Sequence, residues 1–346
     1  MVGQHSHHRG FTIIEALVVA AVVALICAVA VPLIQSHRES ARRNQCLDRL
    51  KQLGLALHNY QDTHMVFPPG FVVGANDVYH GWSWSVFIVP YLDDNPWYSG
   101  IQFESGLQTE YLKPELHPHW SSFRCPTDSG ADVVSSVSMV TTKVVDWTVT
   151  PGSTQVKNTF ARSNYFGSAG FLHEYAGGLK TEEMWKTFYT DADANLNPGS
   201  LGTAATKYSR YHRYVDQMNF GGVFGQNSKV RVQDMADGTS NTFMVGERYT
   251  PRASLSEAPV IGDGGWLGVP DPTTAAGLAM SLGDTSVGLN HNVKRRQTTG
   301  FGSNHVGGAN LLFADGRVRL VNEKIGLVTY RGLSGINDFI PKSCGY

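Results

Sequence analysis

The chain has 346 residues, with 28 Lys and Arg against 29 Asp and Glu, 42% hydrophobic and only 16% charged residues. Near-neutral charge argues against a polybasic nucleic-acid binder, and the apolar share excludes disorder of the whole chain. With 37 glycines and 15 prolines the body is expected to be rich in strands and loops; four cysteines without a CxxC pair suggest neither a disulfide scaffold nor a zinc finger.

Residues 1–10, MVGQHSHHRG, read as a short polar leader. The following run stays free of charged or strongly polar side chains from Ala16 to Ile34, 19 residues, enough to cross a bilayer as a helix. A buried core helix would show a polar face, and none is visible here. Ala28-Val29-Ala30 resembles a signal-peptidase site, yet the apolar run exceeds the usual 7–15 residues of a secretory signal. Glu15, within the apolar segment that begins at Phe11 and just ahead of Ala16, is the informative residue. An ionised carboxylate there is costly without a partner. Cleavage after Gly10 would create one, the α-ammonium of Phe11, on the same chain or on a neighbour.

The string R-G-F-T-I-I-E-A-L-V-V-A resembles the class III signal of type IV pilins and type II secretion pseudopilins, with Pro32 where that family often carries a proline. The resemblance implies cleavage between Gly10 and Phe11 by a prepilin peptidase, N-methylation of Phe11, and a role for Glu15 in assembly. Membrane orientation rests on the resemblance too. Arg9 is the only Lys or Arg before the span, whereas Arg38, Arg42 and Arg43 follow it, so a positive-inside count alone gives the opposite topology.

Beyond the span, Leu47, Leu50, Leu53, Leu57 and Tyr60 fall on one helical stripe, which predicts an amphipathic continuation over 35–64 packed on a globular body. Gly54 is expected to be tolerated within it at a cost of about 1 kcal/mol, and Pro32 to kink or locally melt the helix. The helix should stop between Asp62 and His64, before Phe67-Pro68-Pro69-Gly70, about 78 Å from Phe11.

The remainder, 65–346, reads as a β-rich domain. In HGWSWSVFIVPYL the alternation predicts a strand with Trp82 and Trp84 on one face, more simply core than a carbohydrate platform. Further short strands are expected at Asn164 to Phe166, Asn219 to Phe224 and Thr242 to Val245. Residues 93–135, 176–210 and 251–300 read as loops. Asp237-Gly238-Thr239-Ser240-Asn241 predicts a turn that could also offer oxygens to calcium. The clearest hairpin surrounds Asp315-Gly316, expected as a two-residue type I′ turn with Phe313 facing Val318 and Leu311 facing Leu320.

Together QCLDRLKQLGLALHNYQD, GWSWSVFIVPYLDD, FRCPTD, ADGTSNTFMVGE and FGSNHVGGANLLFADGRVRLV resemble a large bacterial family of prepilin-like proteins with a C-terminal His-x9-Asp-Gly segment, here His305 through Asp315-Gly316. The resemblance implies an α+β, pilin-like fold: a long N-terminal helix, transmembrane in its first half (11–34), on an antiparallel sheet with large loop insertions. It also implies inner-membrane insertion with the body in the periplasm or in an extracellular filament. Implied partners are a prepilin peptidase, other pilin-like subunits, an inner-membrane assembly platform and membrane lipid. Because the helix and FRCPTD both belong to the recurring pattern, Cys46–Cys125 is the favoured pairing, leaving Cys344 free and Cys27 reduced in the span, although connectivity does not follow from sequence.

No HExxH, GxSxG or P-loop lysine occurs, and Asp234, Asp237, Glu247, His305 and Asp315 do not add up to a named reaction. Strand geometry argues against His305 and Asp315 meeting as a metal site or catalytic dyad. No enzyme activity and no resident cofactor are therefore expected, calcium aside. The reading is a minor or tip subunit of a type II secretion pseudopilus or type IV pilus-like filament. The alternative is a membrane-anchored envelope module that binds glycan or protein without polymerising.

Overall fold

In the computed structural model, the described residues are 12–73, 79–92, 98–101, 103, 120–128, 133–140, 155–170, 221–249, 264–269, 280–285, 287–291 and 299–336. The chain divides into two compact units, Met1–Asn44 and Gln45–Tyr346, and helix α1 (Ile13–His64) belongs to both. In the first unit, Ile13–Val31 is long and apolar enough to cross a membrane, and none of it is buried. Ile13, Ile14, Leu17, Val18, Val19, Val22 and Val23 are all exposed. These positions cover every side of a helix, so no face is kept for a protein core. The helix is continuous through Pro32, so of the kink or local melting expected there, melting does not occur.

The second unit is an α+β body. Its central sheet has the strand order β10 (Val318–Asn322), β9 (Gly308–Phe313), β6 (Phe243–Glu247), β5 (Tyr165–Gly170), β8 (Leu282–Asp284). The neighbours pair antiparallel, as expected, except β5 with β8, which are parallel and make the sheet mixed at that edge. A second sheet orders β3 (Val133–Val140), β4 (Gln155–Ser163) and β7 (Gly264–Gly265), and β1 (Phe71–Val73) pairs with β2 (Tyr79–Ser83). β7 and β8 lie within 251–300, which the sequence presents as loop. Strands of two and three residues, Gly-Gly and Leu-Gly-Asp, give no alternation to detect.

The end of α1 packs on the central sheet through Cys46, Leu50, Leu53, Ala56 and Leu57, all fully buried, while Leu47 is only half-buried. Leu50, Leu53 and Leu57 of the expected stripe turn inward with Tyr60 partly buried beside them, and Cys46 takes the inward place at its start instead of Leu47. Gly54 is a contact point rather than a tolerated fault: a Cβ there would lie 2.8 Å from Leu312 Cδ1 of β9. The helix ends at His64, where Met65 turns left-handed (φ 62°) and its N–H donates to the Gln61 carbonyl.

Both faces of the sheet are covered. Leu312 joins Leu53, Trp84, Phe224 and Trp266 in one cluster, while Leu311 and Phe313 join Phe243, Phe301 and Tyr330 in another. Every residue of β9 is therefore buried. The expected strand through HGWSWSVFIVPYL ends at Ser83; Trp84–Phe87 forms a short helix, α2, and a 3-10 turn follows at Val89–Tyr91 with Pro90 at its start. Trp82 and Trp84 are both buried, which removes them as a glycan platform. Their spacing of two coincides with strand period, but Pro90 and the Ser83–Ser85 hydroxyl pair, tied to the Trp266 carbonyl, favour turning. Residues 221–224 contribute one bridge, Gly170↔Gly221, instead of a strand, and positions 219–220 lie outside the described residues. The Asp237–Asn241 turn is closed by the Asn241 side-chain amide donating to the Asp237 carbonyl.

The C-terminal hairpin is where expected, but its register differs by one. Val318 pairs with Leu312, Arg319 with Leu311 and Leu320 with Asn310. The Gly316 N–H donates to the Phe313 carbonyl and the Phe313 N–H to the Arg317 carbonyl, so the loop is the three residues Ala314, Asp315 and Gly316. Only Gly316 has positive φ (80°), whereas a type I′ turn needs it at both central residues. Replacing Gly316 by valine is expected to destabilise by about 2 kcal/mol, from left-handed strain in a branched residue. Asp315→Asn should cost under about 1 kcal/mol, because an amide oxygen can still accept the Arg317 N–H that Asp315 Oδ1 now accepts. Urea unfolding of the two variants checks the difference.

Candidate functional site

Gly10 and Phe11, the residues of the expected cleavage and methylation, lie outside the described residues. Just after them, Glu15 Oε2 accepts hydrogen bonds from the Thr12 N–H and the Thr12 hydroxyl, both at 2.9 Å, while Thr12 Oγ1 accepts the Glu15 N–H at 3.3 Å. This reciprocal pair is a capping box, T-I-I-E, which satisfies two of the orphan donors of the first helical turn. The carboxylate thus has a local partner within its own chain, a signal present in the sequence but masked by the hydrophobic run.

A second constellation lies deep in the body. Cys46 of α1 is joined to Cys125, 79 residues away, with Cα atoms 5.2 Å apart. The Tyr165 hydroxyl donates to the Cys46 carbonyl at 3.3 Å, and Arg49 Nη1 donates to the Arg124 carbonyl. Burial, and next the Glu247 carboxylate, hold the Tyr165 phenol well above its ordinary value, so it remains a neutral donor. Asn164 holds the second half-cystine in place: its Oδ1 accepts the Cys125 N–H and its amide donates to the Arg248 carbonyl and to Asp128.

His305 comes to the same place. Its Nε2 is 3.6 Å from Cys125 Sγ and 3.7 Å from Glu247 Oε1, and both side chains are buried. The imidazole therefore faces a strand carboxylate and a sulfur. Asn310 fixes the Glu247 carboxylate from β9, its N–H donating to Oε2 (2.8 Å) and its Nδ2 to Oε1 (2.9 Å). Ser303 supports the approach to β9, accepting the His305 N–H and donating to the Gly308 carbonyl. The two ends of the His-x9-Asp-Gly segment have separate surroundings: Asp315 binds Arg317 at the exposed hairpin tip. Sequence reasoning did not bring Glu247 and Asn310 to the cysteines. The available signal was a charged residue closing an otherwise apolar strand, FMVGE.

Residues 35–327 match a family described as a protein of unknown function (DUF1559), and residues 5–31 match the prokaryotic N-terminal methylation motif. The chain belongs to the DUF1559 family. With the methylation motif ahead of its apolar helix, this DUF1559 member is a pilin-like or pseudopilin-like protein. That motif implies processing by a prepilin peptidase and assembly with other pilin-like subunits, and suggests a membrane anchor or a pilus. No curated protein and no solved structure matches the chain.

Proposed function

We propose that this protein is a minor or tip subunit of a type II secretion pseudopilus or a type IV pilus-like filament. Its first helix enters the inner membrane with the body on the periplasmic side, and it serves as a structural subunit rather than an enzyme. The observation that carries this reading is the span Ile13–Val31, exposed on all sides and headed by the methylation motif. Such a surface gains from lipid before assembly and from neighbouring helices afterwards. The compact unit Gln45–Tyr346 is bulky for a subunit repeated along a whole filament, which favours low copy number. Sheared surface filaments, analysed by mass spectrometry, should contain this chain as a small fraction of a smaller major subunit, starting at N-methylated Phe11. A mature chain starting at Val31, or one absent from filaments altogether, contradicts the proposal.

Glu15 gives a sharper test. Glu15→Gln can keep the capping box with Thr12 while removing the charge, whereas Glu15→Ala removes both. If pairing with a neighbour's α-ammonium drives assembly, both variants should be processed normally yet recovered in filaments at least about tenfold less than wild type, a loss of about 1.4 kcal/mol in recruitment. Wild-type recovery of Glu15→Gln alone would assign Glu15 to capping.

A further inference from the structure

Cys46, Cys125, Glu247 and His305 come from four separate stretches: α1, the segment after the 3-10 turn Ser121–Phe123, β6, and the loop before β9. One ligand-type atom from each lies within 4.8 Å of the others, and all four residues are buried. A cross-link by itself needs only apolar packing around it. A carboxylate and an imidazole buried beside it carry a desolvation cost that a bound cation would offset. Two of the separations are also those of a coordination tetrahedron, while the bonded sulfurs must part before both can ligate one ion. Zinc–sulfur bonds near 2.3 Å and zinc–nitrogen or –oxygen bonds near 2.0–2.1 Å place neighbouring ligand atoms roughly 3.3–3.8 Å apart. His305 Nε2 already stands 3.6 Å from Cys125 Sγ and 3.7 Å from Glu247 Oε1. Asn310 orients the carboxylate in the way that outer partners orient metal ligands.

We propose that the reduced chain binds a thiophilic divalent cation, Zn2+, through Cys46, Cys125, Glu247 and His305, so that metal and disulfide are alternative clasps between α1 and the sheet. Reduction breaks the Sγ–Sγ bond and gives two thiols, which take up two electrons and two protons. A phosphine reductant supplies the electrons and becomes the phosphine oxide, taking its oxygen from water. The cation then displaces both thiol protons to the buffer, leaving two thiolates, a neutral imidazole and a carboxylate around it. The ligands are dispersed along the chain, which is why no spacing motif announces them.

The test uses the full chain in detergent with Cys27→Ser and Cys344→Ser, so that only the buried pair can contribute thiolates. After phosphine reduction and metal removal, Co2+ should bind at one per chain, with thiolate-to-cobalt charge-transfer absorption and the visible bands of a tetrahedral site, and Zn2+ should displace it. The oxidised chain should take up neither. If reduction unfolds the body, adding Zn2+ should restore its circular dichroism. His305→Ala should weaken Co2+ binding more than about 100-fold, beyond the 10–100-fold that outer partners cost. Glu247→Gln is the second variant; its amide can accept the Asn310 N–H and, once the Asn310 side-chain amide turns over, donate to the Oδ1 that is otherwise unpartnered. The proposal is overturned if the reduced chain, folded or unfolded, takes up no Co2+. It is equally overturned if both variants bind as tightly as the parent with the same spectrum.

Discussion

Removing the cross-link with Cys46→Ala and Cys125→Ala together is expected to lower unfolding stability by about 4.5 kcal/mol at 25 °C. The two cysteines are 79 residues apart, and a closed loop of that length removes this much chain entropy from the unfolded state. The loop carries Trp82, Trp84 and Phe123 into the same core that α1 covers, so its closure restrains the folding of the main cluster. Urea unfolding in detergent, with a chelator present to exclude metal, measures the effect. Adding reductant should shift the wild-type midpoint by a similar amount and leave the double variant unmoved. A difference below about 1 kcal/mol would show that the unfolded chain gains little from being opened.

Gly308→Ala should be nearly as damaging, costing about 3–5 kcal/mol. Gly308 opens β9 opposite Asn322 of β10, and a Cβ there would lie 1.8 Å from the Val321 carbonyl oxygen. That oxygen belongs to a paired strand and cannot rotate away as a side chain would, so either the ladder opens or the backbone distorts. Gly307 is the control: it also has positive φ (95°), yet nothing lies within 4 Å of its Cβ position. Gly307→Ala should therefore cost only the left-handed strain, about 1–2 kcal/mol. Thermal unfolding of the two variants separates collision from strain. Comparable losses for both would place the cost in backbone conformation alone.

What could be read from the sequence depended on how local its cause was. The apolar span, its exposed carboxylate and the end of α1 at His64 follow from consecutive side chains and a Pro-Pro-Gly stop, and the methylation motif is contiguous. The hairpin was visible for the same reason, since Asp315-Gly316 is a local turn signal. Its register was not. A two-residue and a three-residue loop differ in whether Asp315 also takes positive φ, and the Arg317 bonds to its carboxylate favour the longer loop. Trp84 was misplaced by a coincidence of period, because two aromatics spaced by two fit a strand until the chain turns between them.

The sequence by itself determined that this chain carries a pilin-type helix with a methylation motif ahead of an α+β body, because hydrophobic runs and signal motifs act through neighbouring residues. Only the tertiary structure decided that Cys46 rather than Leu47 starts the inward face of α1, that Gly54 is where helix and sheet approach, and that Glu247 and His305 meet the Cys46–Cys125 pair. Those outcomes depend on contacts between residues up to 259 positions apart, from Cys46 to His305, which share no period and no local signal. They are selected by packing and by the need to partner buried polar groups, and those requirements arise only once the sheet and helix are in place.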